Sequence, residues 1–223
     1  MSNLPKELMN CKTLQEMLFL ARNRHNGLAI VCEGREITYH EFDQITDQMA
    51  VYLADKGLGP AKTIVVSMNR SEKFLIAMYA VIKSGATFVP VQVNQPKARK
   101  DVIYDQLNVA FTIDDEIYNE IIKDLSKTRY SGDVKEAVSF ARQEDDAIIL
   151  YTSGSTGIPK GVCHLQSSVS YIATVYPKRL SEAGILSNNI STIIAKTTST
   201  FVSAYMFEYF SAILCGIKLV LLI

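Results

Sequence analysis

The sequence predicts an α/β fold in which parallel sheets are covered by helices. From residue 63 onward, short segments that are apolar on both faces alternate with longer segments of helical periodicity. This is the pattern of parallel strands joined by crossover helices. In addition, hydrophobic residues make up 48% and charged residues 21% of the 223 residues, as is usual for a globular fold.

Two Thr-x-x-Glu sequences, at residues 13–16 and 38–41, mark the starts of the first helices. In this motif the threonine hydroxyl accepts a hydrogen bond from the helix backbone, and the glutamate accepts one from the threonine N–H. The second helix has apolar residues at helical spacing and is expected to end at Gly57. Between the two helices, residues 28–32 are predicted to form a strand, with a turn at 33–35.

The remaining elements follow from the alternation of apolar and amphipathic sequence. Strands are predicted at 63–67, 87–91, 109–113, 147–151, 191–195 and 218–223. Helices are predicted at 72–83, 97–107, 116–125, 165–176 and 204–214, and the stretch 126–144 is left open. The chain closes on an apolar strand, whereas chain termini usually fray at the surface. We therefore expect a truncated chain whose last strand has an unpaired edge.

Charge and cysteine content argue against several classes of function. Lys and Arg together number 23, as do Asp and Glu, and no block of like charge occurs. Neither nucleic acid nor a membrane surface is therefore an expected partner. The sequence has no apolar run of the ~20 residues that span a bilayer, and its N-terminus has no apolar signal core. The four cysteines are scattered without the spacing of a metal site, so a cytoplasmic protein without a structural metal ion is predicted.

A polar loop directly after the predicted strand 147–151 is the candidate ligand site. Its residues 152–157 are all Ser, Thr or Gly, and Pro159, Lys160 and Gly161 follow. Glycines let the backbone approach bulky oxygens, N–H and hydroxyl groups donate to an anion, and lysine adds a positive charge. A flexible Ser/Gly linker has no reason to adjoin a buried strand, and the P-loop pattern is absent. The candidate phosphate-binding residues are Thr152, Ser153, Gly154, Ser155, Thr156, Gly157 and Lys160.

The run from Tyr151 to Gly161 resembles the signature loop of the adenylate-forming superfamily. This superfamily contains acyl-CoA synthetases, nonribosomal-peptide adenylation domains and luciferases. Other stretches resemble family motifs in the expected order, at 37–42, 81–90, 145–146 and 207–216. The resemblance covers nearly the whole chain and favours the peptide-synthetase branch. It implies that the chain is part of the large N-terminal domain of an adenylate-forming enzyme.

The resemblance also implies a reaction. In this family a carboxylate attacks the α-phosphate of Mg-ATP, and the resulting acyl group passes to the thiol of a carrier-protein phosphopantetheine or of CoA. ATP and Mg²⁺ are thus the implied cofactors, and a carboxylic or amino acid is the implied substrate. The family's catalytic lysine, ribose-binding aspartate and C-terminal lid have no counterpart in residues 1–223, so this truncated domain is expected to be inactive alone. An acyl-CoA ligase and a non-catalytic remnant are the alternatives.

Two positions depart from the family pattern. The aspartate that holds the ammonium group of amino-acid substrates falls on Ser203, or on Val202 in a shifted alignment. We therefore expect a substrate other than an ordinary α-amino acid, in a pocket that includes Ser203 and Phe207. The histidine that often lies six residues after the loop lysine is replaced by Gln166. His164 is interpreted as structural or solvated rather than catalytic.

Overall fold

The computed structural model describes residues 4–152, 158–182, 192–195 and 203–222. Its helices are α1 (Lys6–Met9), α2 (Leu14–Ala21), α3 (Tyr39–Asp55), α4 (Glu72–Lys83), α5 (Lys97–Gln106), α6 (Asp115–Lys127), α7 (Val134–Ala137), α8 (Gln166–Glu182) and α9 (Ser203–Leu214). Its strands are β1 (Leu28–Cys32), β2 (Arg35–Thr38), β3 (Thr63–Val66), β4 (Thr87–Pro90), β5 (Val109–Ile113), β6 (Asp146–Thr152), β7 (Lys160–Leu165), β8 (Thr192–Ala195) and β9 (Lys218–Leu221). The sequence patterns predict all of these elements except α1, β2, α7 and β7.

Two sheets form the framework, and each is mainly parallel. In the first, the strand order is β5-β3-β4-β6-β7, and only β7 is antiparallel to its neighbour. In the second, the order is β2-β1-β9-β8, and only β2 is antiparallel to its neighbour. The predicted α/β fold with parallel sheets is therefore confirmed, with an antiparallel strand added at one edge of each sheet.

The expectation that the last strand has an unpaired edge is wrong. β9 lies between β1 and β8 and pairs with both in parallel. Ile30 of β1 is opposite Leu219 of β9, so the partner comes from the other end of the chain. Leu219 and Leu221 are consequently buried.

Helix α4 lies between the two sheets and forms the centre of the core. It contacts β1 of one sheet and β3 and β4 of the other, and residues 74–83 are all at most 2% exposed. A helix that is apolar on every face requires burial on every face, and this position provides it. The Tyr79 ring packs edge-on against Phe42 of α3 and Phe210 of α9, at centroid distances of 4.9 and 5.6 Å.

Both predicted Thr-x-x-Glu helix starts are confirmed. The hydroxyl of Thr13 accepts from the Glu16 N–H and that of Thr38 from the Glu41 N–H, and both glutamates bond back to the cap backbone. In the part of the chain that the structure describes, no helix has the length and apolar character needed to cross a membrane.

Candidate functional site

The candidate loop connects β6 to β7, and these strands form an antiparallel hairpin. Their register places Thr152 opposite Lys160, at the two sides of the loop. Because β6 is parallel to β4, Thr152 lies at the carboxyl edge of the parallel strands, where α/β sheets usually bind ligands. The structure thus places two of the seven predicted residues. The other five, Ser153, Gly154, Ser155, Thr156 and Gly157, lie outside the described residues.

Thr152 and Lys160 are both accessible to a ligand, since both are exposed. Thr152 Oγ1 donates to the carbonyl oxygen of Lys160 at 3.4 Å, which is long for a hydroxyl hydrogen bond. Among the described residues, Lys160 has no ion-pair partner. The pair therefore offers a hydroxyl group and an uncompensated positive charge.

The imidazole and carboxyl groups of the hairpin lie near its far end. His164 is opposite Ile148, and Asp146 is opposite Leu165, which puts both groups roughly 14–20 Å from the loop at ~3.4 Å per residue. Burial lowers the pKa of His164, so its imidazole is neutral at pH 7. This placement is consistent with a structural role for His164 and leaves Lys160 as the charged group at the loop.

Contacts on one face of the hairpin hold the residues that follow the loop. Pro159 is buried, and its carbonyl oxygen accepts a 3.3 Å hydrogen bond from Gln106 Nε2 at the end of α5. A Cβ atom placed on Gly161 would lie 3.2 Å from both Tyr151 Cζ and Ile149 Cγ2. Glycine after Lys160 thus permits a close approach that a side chain would disturb.

The donor set fits a polyphosphate, since an ammonium group and a hydroxyl flank a loop rich in Ser, Thr and Gly. No group of three or more His, Cys, Asp or Glu side chains that could hold a metal ion occurs within the described ranges. A Mg²⁺ ion that accompanies ATP is commonly held by phosphate oxygens, water and one or two carboxylates. Binding of Mg-ATP therefore does not require such a cluster.

The predicted acyl pocket can be placed only at the level of the backbone. Ser203 and Phe207 belong to α9, but their side chains lie outside the described residues, as does all of Val202. From Tyr209 onward the side chains of α9 are described, and residues 209–214 are at most 5% exposed. This half of the helix belongs to the core.

Gln166, a departure from the family pattern, has a structural role that the sequence does not reveal. It is the first residue of α8 and is fully buried. Its Oε1 accepts hydrogen bonds from the backbone N–H groups of Leu14, at 3.1 Å, and Gln15, at 3.4 Å. These contacts join positions about 150 residues apart, which no local pattern could predict.

A second concave region, of about 430 Å³, lies among β2, α3, α4 and α6. Its lining includes Arg35, Glu72, Lys73 and Tyr118. Arg35 Nη1 lies 2.6 Å from Glu72 Oε1, and Lys73 Nζ donates to Asn119 at 3.2 Å. Because its cationic groups already have polar partners, this cleft is a poorer candidate for an anion than the β6–β7 hairpin.

Comparisons with known proteins point to one family. The sequence matches the AMP-binding enzyme family over residues 20–223. It is 27% identical to gramicidin S synthase 1 of Brevibacillus brevis, in an alignment that covers 100% of this chain and 21% of that protein. It is 33% identical to malformin synthetase mlfA of Aspergillus tubingensis, over 66% of this chain and 3% of that protein.

Solved structures share the fold. The Klebsiella oxytoca NpsA N-terminal subdomain in complex with 3-hydroxyanthranilyl-AMSN matches with a TM-score of 0.77 and 21% identity, over 95% of this chain and 54% of that chain. VinN in complex with 3-methylaspartate matches with a TM-score of 0.71 and 21% identity, over 93% of this chain and 61% of that chain. The chain thus spans about half of the NpsA subdomain and a fifth of gramicidin S synthase 1. Since the family match extends over most of its residues, the chain belongs to the AMP-binding enzyme family.

Proposed function

We propose that this chain forms the polyphosphate-binding part of an enzyme that uses ATP to convert a carboxylic or amino acid to its acyl-adenylate. The observation that carries this proposal is the placement of Thr152 opposite Lys160 at the two sides of the Ser/Thr/Gly loop. An exposed lysine without an acidic partner among the described residues has its charge available for a phosphate. Membership in the AMP-binding enzyme family supports the same ligand.

Each residue of the loop has a defined role in this proposal. Gly154 and Gly157 let the backbone come close to the β- and γ-phosphates. The ammonium group of Lys160 and the hydroxyl groups of the loop donate hydrogen bonds to phosphate oxygens; these hydroxyls belong to Thr152, Ser153, Ser155 and Thr156. Charge neutralisation makes pyrophosphate a better leaving group when the substrate carboxylate attacks the α-phosphate. Mg²⁺ bound with ATP would neutralise further phosphate charge.

The proposed acyl acceptor is the phosphopantetheine thiol of a carrier protein. Support comes from the relatives, which include gramicidin S synthase 1 and a fused NpsA-ThdA adenylation-PCP di-domain. CoA is the alternative acceptor. We place the protein in the cytoplasm, where ATP is available and where free thiols persist, because Cys11, Cys32, Cys163 and Cys215 are all free.

We also propose that residues 1–223 are the N-terminal part of a larger AMP-binding domain, whose remainder and lid are not in this chain. The coverage of only 54% of the NpsA subdomain supports this assignment. No catalytic residue is assigned to the chain, because the lysine of the family lid has no counterpart in it. Ser203 and Phe207 are proposed to line the acyl pocket through their position on α9.

The proposed substrate lacks the ammonium group of an ordinary α-amino acid. Neither Val202 nor Ser203 is acidic, and a buried ammonium group without a carboxylate partner loses several kcal/mol of hydration. Pyrophosphate exchange by the protein in its natural length, with a panel of amino acids and non-amino carboxylic acids, tests this proposal. We expect exchange with a hydroxy, aryl or fatty acid, or with an acid whose amine is remote from the carboxylate. A selective response to one α-amino acid would contradict it.

Calorimetric titration of this chain with Mg-ATP and with pyrophosphate tests the phosphate site. Replacement of Lys160 by Ala removes a charge-assisted contact worth about 1.5–3 kcal/mol, so we expect the dissociation constants to rise by roughly 10- to 100-fold. Lys62→Ala is the matched control, because Lys62 is exposed and immediately precedes β3. It therefore lies at the amino ends of the parallel strands, whereas Thr152 lies at their carboxyl ends. Equal affinities for wild type and Lys160→Ala would overturn the assignment.

A further inference from the structure

The junction between β7 and α8 is tied to the N-terminus of α2 by one side chain. Gln166 is 0% exposed, and its amide oxygen accepts from the N–H groups of Leu14 and Gln15, the first two residues of α2. Four N–H groups at the start of a helix lack intrahelical partners. Here the N–H of Glu16 bonds to Thr13 Oγ1, and the N–H of Thr13 bonds to Glu16 Oε2. Gln166 thus completes the capping of α2 from a distant part of the chain.

Helix α2 is itself fixed to the centre of the core, so it provides a rigid attachment. Gln15 Nε2 donates to the carbonyl oxygens of Lys83, at 2.9 Å, and Ser139, at 3.0 Å, and its Oε1 accepts from the Ala141 N–H at 2.8 Å. Lys83 is the last residue of α4, the helix between the two sheets. Two buried amide side chains therefore connect the end of β7 to α4, whose residues 74–83 are at most 2% exposed.

The burial pattern of β7 specifies its register only weakly. β7 is an edge strand, and five of its six residues are exposed, the exception being His164. Strands without one buried face have weakly specified register, and a slip by one residue turns every side chain to the opposite face. The ladder is also irregular at its far end, between Asp146 and Ile148 of β6. Anchoring of Gln166, the residue directly after Leu165, would oppose such a slip.

We propose that Gln166 is a positioning residue: by binding the start of α2 it sets the register of β7 and so holds Lys160 opposite Thr152. This inference rests on the proposed role of Lys160 in phosphate binding. Gln166 itself touches no phosphate, since it lies at the far end of the strand from Lys160. Its effect is therefore on the affinity for nucleotide and on the order of the strand.

Two substitutions separate this role from a general loss of packing. Gln166→Leu keeps the volume and removes the acceptor. Gln166→His keeps one acceptor nitrogen, because burial and the positive end of the α2 dipole both favour the neutral ring. Gln44→Leu is the control, because Gln44 lies half-buried on α3, away from the hairpin. Each variant of the whole chain is examined by amide hydrogen exchange over residues 160–165 and by titration with Mg-ATP.

We expect Gln166→Leu to raise exchange rates in β7 by about tenfold and the dissociation constant for Mg-ATP by roughly three- to tenfold, the usual effect of losing one or two hydrogen bonds. Gln166→His, which retains an acceptor, should lie closer to the wild type than Gln166→Leu in both measurements. If Gln166→Leu folds with unchanged β7 exchange, or Gln166→His perturbs β7 as strongly as Gln166→Leu, the positioning role is wrong. If wild type binds no Mg-ATP, the proposed function fails, and β7 exchange alone then decides whether Gln166 sets the register.

Discussion

At the residue scale, the ammonium group of Lys83 is a positive charge that is buried in the core. It is 1% exposed and lies 2.8 Å from Asp47 Oδ1 and Thr46 Oγ1 and 3.4 Å from Asp43 Oδ1. Asp47 also pairs with Arg22 at 3.2 Å. Both carboxylates of this network therefore have a cationic partner: Asp43 pairs with Lys83, and Asp47 pairs with Lys83 and Arg22.

Replacing Lys83 by Met should destabilise the chain strongly, because Asp43 and Asp47 would lose a buried counter-charge. The loss of one member of a buried ion pair costs about 3–5 kcal/mol. Urea unfolding of Lys83→Met, compared with Lys62→Met on the surface, measures this cost. A difference below about 1 kcal/mol would show that the network contributes little net stability.

Asp145, which immediately precedes β6, should make stability depend on acid pH. Its pKa is lowered from an ordinary value near 3.8, first by the hydrogen bond that its carboxylate accepts from the Arg142 N–H and then by the Arg142 guanidinium. A lowered carboxyl pKa gives stability that is present above the unfolded-state pKa and is lost as pH falls through the folded-state pKa. Asp145→Ala should therefore cost about 1 kcal/mol at pH 7 and progressively less as pH falls below 3.8.

Urea midpoints of Asp145→Ala at pH 7 and pH 3 measure this dependence. Asp145→Asn is the control, since an amide oxygen can still accept from the Arg142 N–H but does not titrate. A cost of Asp145→Ala that is the same at both pH values would contradict the assignment of the shift to this carboxylate.

Single residues differ in how far the sequence predicts them. Thr13 and Thr38 are predicted correctly because each cap bonds to a residue three positions away. Lys83 and Gln166 are not, because their partners come from other elements and depend on the folded arrangement. Lys160 and Thr152 are likewise identified as ligand candidates from a local motif. Gln166, the residue proposed to position Lys160, is recognised only from its contacts in the folded structure.

At the scale of elements, the end of α9 is defined by Gly216. Its φ is +72°, and the N–H groups of Gly216 and Ile217 bond back to Ile213 and Ala212, which is a Schellman motif. The His25 ring packs against the glycine and its Nε2 lies 3.2 Å from the carbonyl oxygen of Leu214. This contact orients the helix that carries the proposed acyl pocket.

Gly216→Ala should cost more stability than Gly57→Ala, although both glycines have φ of +72°. A Cβ atom on Gly57 meets nothing within 4 Å, whereas one on Gly216 would lie 2.8 Å from two ring carbons of His25. The positive φ alone costs about 1–2 kcal/mol, and overpacking adds about 1–3 kcal/mol. Thermal or urea unfolding of both variants measures the difference. Equal costs would show that His25 moves aside freely.

The sequence analysis misses β7 and misplaces β9 for different reasons. β7 gives no clear strand signal because its exposed faces lack apolar alternation. β9 is correctly predicted as a strand but wrongly as an edge, because its partner β1 lies at the opposite end of the chain. Composition reveals that a segment is a buried strand, but not which strands lie beside it.

At the scale of the molecule, two sheets around α4 present the β6–β7 hairpin at an edge of the first sheet. The resemblance to the adenylate-forming superfamily implies a ribose-binding aspartate and a catalytic lysine, and neither has a counterpart in the 223 residues. The chain should therefore bind nucleotide without forming acyl-adenylate. Incubation with Mg-ATP and a mixture of acids should release no pyrophosphate. Release in at least stoichiometric amounts would mean that these residues suffice for the reaction.

The most direct test of the proposal that the β6–β7 hairpin binds phosphate is a map of backbone amide chemical shifts, by ¹H–¹⁵N correlation, as Mg-ATP is added to the chain. We predict that the largest changes occur at Thr152, at Lys160 and Gly161 and in the loop between them, and that Lys160→Ala weakens them. Shifts centred on the cleft lined by Arg35, Glu72 and Tyr118, or no shifts at millimolar Mg-ATP, would contradict the account.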